Sequence, residues 1–196
     1  MALAIHEARA AGEAGDVPVG AVLVCDGRVV GRGRNTREAL HDPTGHAELN
    51  ALRMGAATLG RWRLHRCVLY VTLEPCAMCA AALVQARLPV LVYGANDPKA
   101  GAAGSRLNLV EDARLNHRVE VIAGLAEAAC SELLTQFFRG DRLASTRELQ
   151  AHHCEGAQDD HELDHGTGPR KGSGGCLRDD VPRRHRSPLG PNCKDL

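Results

Sequence analysis

The sequence predicts an α/β protein in which helices pack on the faces of one central sheet, followed by a tail. Three observations lead there. A hairpin of two strands lies near the N-terminus. After it, short apolar runs alternate with segments of helical periodicity, which is the order of an α/β sheet. Beyond residue 150 the chain changes in kind, so residues 1–150 are expected to form the domain and 151–196 to stay outside it.

The elements follow in order. Residues 2–14 read as a helix rich in alanine. "PVGAVLVC" (18–25) and "RVVGRGR" (28–34) read as strands joined by Asp26-Gly27, a pair favoured in two-residue hairpin turns. "NTREALHDPTG" (35–45) has turn chemistry throughout. Residues 46–55 are helical, with Leu49, Leu52 and Ala56 spaced for one buried face. "CVLYVT" (67–72) is a near-continuous apolar run, the mark of a strand covered on both sides. Pro75 suits the first turn of a helix running to about residue 86. "VLVY" (90–93) and "RVEVI" (118–122) are the fourth and fifth strands, with a short helix expected in "SRLNLVEDARL" (105–115) between them. A last helix starts at 126, passes 139 and has room to extend to about 150.

Composition narrows the function. Trp62, Tyr70, Tyr93, Phe137 and Phe138 are the only aromatic residues, so the core must be built from Ala, Val and Leu. Lys and Arg number 24 against 24 Asp and Glu, so no global basic field marks a nucleic-acid binder, and any such partner needs a local patch. The first residues carry Glu7, Arg9, Glu13 and Asp16 and lack the apolar core of a signal peptide. No run is long enough to span a membrane, so a soluble, cytoplasmic protein is expected. In that compartment the eight cysteines are not expected to form disulfides. Residues 151–196 have no aromatic residue and mix Gly, Pro, His, Asp and Arg without period, which predicts a disordered low-complexity tail. The tail's histidines and cysteines fit no zinc spacing.

Taken alone, Cys76 and Cys79 in "TLEPCAMCA" allow a redox pair, a disulfide, half of a metal site or core filler. One well-placed further ligand lies in the body, His46, at the start of its own helix. Two thiolates and one imidazole make three protein ligands, the count of a catalytic zinc that keeps a fourth position for water. Both helix N-termini would face the metal and favour the thiolate forms. Glu48, two residues past His46, can share the cavity without binding the metal. A zinc-bound water has its pKa lowered to about 7, and a carboxylate beside it can move the proton to a ring nitrogen and a leaving amine. "HAE" followed by "PCAMC" is the signature of zinc nucleobase deaminases.

The body also resembles the bacterial tRNA-specific adenosine deaminases, through "VPVGAVLV", "GRN", "HDPTGHAELNALR", "LYVTLEPCAMCA", "YGANDPKAGAAGS", "LNHRVEV" and "LLTQFFR" in that order. The resemblance implies a three-layer α/β/α sandwich around a five-stranded mixed sheet of the cytidine-deaminase type. It implies one zinc ion per subunit, no organic cofactor, a homodimer, and a tRNA anticodon loop as partner. The reaction implied is conversion of the wobble adenosine to inosine by zinc-activated water attacking C6. Residue by residue, His46, Cys76 and Cys79 resemble the zinc ligands and Glu48 the proton shuttle. Asn35 resembles the residue that hydrogen-bonds the flipped adenosine, and Val17, Pro18, Val19 and Ala47 resemble parts of the base pocket. Asp97 and Lys99 resemble loop residues that hold the neighbouring sugar and backbone, while Phe137 and Phe138 on the last helix are candidates either for core packing or, Phe138 in particular, for contact with the splayed loop. Lys99, Arg106, Arg61, Arg63, Arg139 and Arg142 are candidates for the local positive charge. The alternatives are a deaminase of a free base or nucleotide of the guanine or cytosine type, and a non-catalytic zinc-stabilised RNA-binding module. An unliganded Glu48 argues against the last.

Overall fold

The structure, a computed structural model, describes residues 1–140. The expected boundary at 150 and the tail from 151 lie outside the described residues, as does Arg142. In chain order the elements are α1 (Ala2–Glu13), β1 (Gly20–Cys25), β2 (Arg28–Arg34), α2 (Arg37–Leu40), α3 (Ala47–Leu59), β3 (Cys67–Leu73), α4 (Ala77–Gln85), β4 (Val90–Ala95), β5 (Glu120–Ile122) and α5 (Glu127–Arg139).

The strands form one sheet in the order β2-β1-β3-β4-β5. β1 runs antiparallel to both β2 and β3, while β3, β4 and β5 are parallel, so the sheet is mixed. The hairpin turn is as read: Asp26 and Gly27 both have positive φ, 49° and 77°. Opposite faces of β1 and β2 receive different helices. A side chain at Gly20 would run into the backbone of α1 at Ala4 and Ala8, whereas Gly31 and Gly33 lie against the backbone of α3. Gly33 pairs with Ala21, the neighbour of Gly20, and successive residues point to opposite faces, so α1 and α3 lie on opposite sides. α5 contacts α1 and β4, and α4 contacts α3, which completes three layers, α/β/α.

The core is aliphatic, as the composition requires. Leu23, Leu69, Val71, Leu83 and Leu91 are fully enclosed, and Tyr93 is the one aromatic side chain among the described core residues. No helix among the described residues is long and apolar enough to cross a membrane.

Several local expectations are corrected. Pro75 lies outside α4, because Cys76 is the N-cap residue in extended conformation (φ −71°, ψ 174°). Residues 105–115 form turns rather than a helix. Asn108 Oδ1 accepts the Glu111 N–H (3.3 Å) and Asp112 Oδ1 accepts the Arg114 N–H (2.9 Å), so local side-chain bonds outcompete the helical ladder. The loop after β2 contains α2. Thr36, its N-cap residue, makes no side-chain cap. Asp16, fully buried, supplies one from a distance: its Oδ1 accepts the Glu38 N–H (2.9 Å) and its Oδ2 the Ala39 N–H (3.2 Å). α3 continues to Leu59, past the expected end at residue 55. α5 is described to Arg139, with Gly140 (φ 80°) as its left-handed C-cap residue; the expected extension toward residue 150 lies outside the described residues.

Candidate metal centre

Two loop-to-helix junctions build the site. His46 is the N-cap residue of α3 (φ −82°, ψ 147°) and Cys76 that of α4, and neither side chain caps its own helix. Both are therefore free for another partner, at helix ends whose unpaired N–H groups favour negative charge. Cys79, three residues into α4 and fully buried, turns its sulfur to the same place. His46 Nδ1 lies 3.6 Å from Cys76 Sγ and 3.5 Å from Cys79 Sγ. All three ligand atoms lie within 4.8 Å of one another, and this is the one such His/Cys/Asp/Glu group among the described residues.

These spacings fit a tetrahedral ion. Ligands at about 2.3 Å (sulfur) and about 2.0 Å (nitrogen) from one centre stand roughly 3.6 Å apart at the tetrahedral angle. The donor set, two thiols and an imidazole, suits zinc, and as three ligands it leaves a fourth position open. The thiols share charge unequally. A hydrogen bond from Cys79 and another from His46 pull the Cys76 thiol down to about 3. The same bond to Cys76, together with burial and the Glu48 charge, pushes Cys79 up. The contact with Cys76 raises His46 against the effect of its own burial. A cation in their midst would replace the shared proton.

Glu48 lies in the first turn of α3, 4% exposed. Burial pushes its carboxyl up to about 7, opposed by its own backbone N–H and by His46. A carboxyl in this range exchanges protons near neutrality, as a general acid–base group must.

The remaining candidates divide into two groups. Asn35, just past β2, is 7% exposed; its Nδ2 donates to Val17 O (3.2 Å) and its backbone N–H to Val19 O (2.9 Å). Its Oδ1 is buried without a partner among the described residues, an acceptor that a bound group's N–H or O–H would complete. Pro18 and Val19 are buried, Val17 is half-buried, and Ala47, the first residue of α3, is fully enclosed where that helix meets β2. Farther out, Asp97 caps its own turn, with Oδ1 accepting the Lys99 and Ala100 N–H groups at 2.9 and 3.1 Å. Lys99 is exposed. Phe138 on α5 is 71% exposed and meets Phe137 edge to face at 5.4 Å.

Two buried carboxylates escaped the sequence reading, Asp16 and Glu74. Their partners are backbone N–H groups far along the chain, which no motif announces. A carboxylate just before "PCAMC" was the only available hint for Glu74.

Comparison with known proteins agrees with this geometry. Residues 1–142 match the family model of the MafB19-like deaminases. The chain is 51% identical over 143 residues to the tRNA-specific adenosine deaminase of Agrobacterium fabrum, covering 73% of this chain and 94% of the relative. It is 46% identical over 139 residues to that of Bacillus subtilis, covering 71% and 86%. A solved structure from work on A-to-I editing by tRNA:A34 deaminases at the wobble position superposes with a TM-score of 0.66. It is 50% identical, with 68% of this chain and 97% of that one covered.

Proposed function

The chain belongs to the MafB19-like deaminases and, within them, to the tRNA-specific adenosine deaminases, and we propose that it converts adenosine to inosine by hydrolysis at wobble position 34 of a tRNA anticodon. The observation that carries the reading is the meeting of His46, Cys76 and Cys79 around one point with buried Glu48 beside them. No structural site needs that unliganded carboxylate.

His46 Nδ1 and the Sγ atoms of Cys76 and Cys79 would hold one zinc ion per subunit. When bound, that ion supplies Lewis acidity and makes water a nucleophile near neutral pH. Glu48 does the proton work. As a carboxylate it takes a proton from the attacking water, and as an acid it returns protons to the purine N1 and to the departing amine. The C6–O bond forms, the C6–N bond breaks, one water is consumed and ammonia leaves. Asn35 offers its unpaired Oδ1 to the flipped base, against a wall of Val17, Pro18, Val19 and Ala47. Asp97 and Lys99 hold the neighbouring backbone, and Phe138 offers a ring face to an unpaired loop base. Because anticodon-loop bases are already unpaired, little work is needed to extrude one.

The proposal includes cytoplasmic location and a homodimer. An apolar groove of about 370 Å³ between α3 and α4, lined by Leu49, Leu52, Ala82 and Ala86 with half-exposed Trp62 beside it, is the face a second copy would cover. Sedimentation at micromolar concentration tests the dimer. Incubation with an anticodon stem-loop bearing adenosine at the wobble position, and separately with free guanine and cytosine, tests the substrate. Inosine from the stem-loop and no ammonia from the free bases is the expected result.

A further inference from the structure

Glu74 sits between β3 and the first cysteine of the metal group. It is 2% exposed and among the larger fully enclosed side chains of the molecule. A carboxylate this deep needs donors, and all of them come from a single loop. Oε2 accepts the Asp97 N–H (3.0 Å) and the Ser105 hydroxyl, while Oε1 accepts the N–H groups of Ala103 (3.0 Å) and Ser105 (2.9 Å). Together these bonds outweigh burial and hold the carboxyl below its ordinary value.

The loop is laid directly on this carboxylate. A Cβ at Gly101 would overlap the Glu74 carboxyl and stand 2.6 Å from Asp97 O, so only glycine permits the approach. Next along the chain, the Ala102 N–H donates to Pro75 O (2.8 Å), and Gly101 pairs with Cys76 as an antiparallel bridge. Residues 74–76 thus hold loop 97–105 at three successive positions, the last of them a metal ligand. Lys99 inherits its place from this arrangement. Its N–H is fixed by the Asp97 carboxylate, and the Asp97 N–H is fixed by Glu74.

We propose that Glu74 is a positioning residue for RNA recognition, fixing loop 97–105 and its Lys99 relative to the metal group so that grip on the nucleotides flanking the target depends on it while metal binding does not. The inference rests on the tRNA reading above.

Glu74→Gln separates the two ends of the clamp. With its oxygen toward Ala103 and Ser105, its amide group still meets the Ser105 hydroxyl, which can accept, but leaves the Asp97 N–H without an acceptor. The expected result is a KM for the anticodon stem-loop raised about tenfold with kcat changed less than about threefold, the pattern of lost ground-state binding. Metal content stays equal to wild type, and amide exchange at Asp97, Lys99 and Ala100 accelerates about tenfold while α3 and α4 keep their protection. Ser105→Ala, which removes one donor and leaves the backbone bonds, gives a smaller shift in the same direction and serves if the first variant does not fold. Unchanged KM in both variants overturns the proposal. So does loss of metal and kcat together at constant KM, which would make Glu74 a support of the metal segment alone. If wild type leaves the stem-loop untouched, the functional reading fails, and exchange at Asp97, Lys99 and Ala100 still decides whether Glu74 clamps the loop.

Discussion

Gly33 in β2 lies directly beneath Ala47, the residue between His46 and Glu48. A Cβ at position 33 would overlap the Ala47 carbonyl oxygen and stand 2.5 Å from Ala51 N. The first turn of α3 therefore rests on the bare backbone of β2, and the sheet sets the height of His46 and Glu48. Gly33→Ala is expected to cost about 1–3 kcal/mol through overpacking and to weaken metal binding. Guanidinium unfolding and metal titration check both. Gly12→Ala is the control: its Cβ would meet only Pro18 at an ordinary 3.5 Å, so alanine should be neutral or add up to about 1 kcal/mol.

Glu48→Gln preserves shape and removes the proton shuttle. Metal content should match wild type, since Glu48 is not among the three ligands, while inosine formation falls by about 10²- to 10⁴-fold. Single-turnover assays with metal content measured on the same sample check this. Substantial activity would remove Glu48 from the mechanism.

Metal removal should both inactivate and destabilise. A chelator is expected to abolish deamination, and zinc to restore it. With free zinc a thousandfold above Kd, the holo form should be about 4 kcal/mol more stable than the apo form. His46→Ala and Cys76→Ser should each lose that increment, as read by unfolding with and without zinc.

Stability should fall at alkaline pH through Cys67. Burial, with the neighbouring Cys25 thiol, pushes its thiol from 9.0 up to about 12. The two residues face each other across β1 and β3. With the folded value above the unfolded one, the contribution is complete below about pH 9 and is lost as pH rises toward about 12, because the unfolded chain releases a proton that the folded chain retains. Cys67→Ala should flatten this part of the stability–pH curve, measured by denaturant unfolding at a series of pH values.

Legibility in the sequence followed chemistry. His46, Cys76 and Cys79 were readable as a group because a metal ion demands particular side chains at helix starts, and the structure brings the three together; Glu48 was singled out because a proton shuttle would need a carboxylate beside them. β3 and β4 were readable because burial on both faces leaves apolar runs, and β1 and β2 because Asp26-Gly27 marks the turn between them. Glu74 and Asp16 were not, since their partners are backbone N–H groups 23–31 and 22–23 residues away, and any residue type supplies one. The expected helix at 105–115 failed for a local reason. Asn108 and Asp112 bind backbone groups of their own turns. Pro75 was assigned to the first turn of α4, which begins two residues later, because proline suits both the first turn and the residues just before it.

The most direct test is deamination of an anticodon stem-loop bearing adenosine at position 34, run with the zinc-loaded protein in oxygen-18-labelled water. The account predicts inosine at that position alone, carrying one solvent oxygen at C6, with one ammonia released per inosine. Unaltered adenosine in the presence of fully loaded protein, or inosine lacking the solvent oxygen, would contradict it.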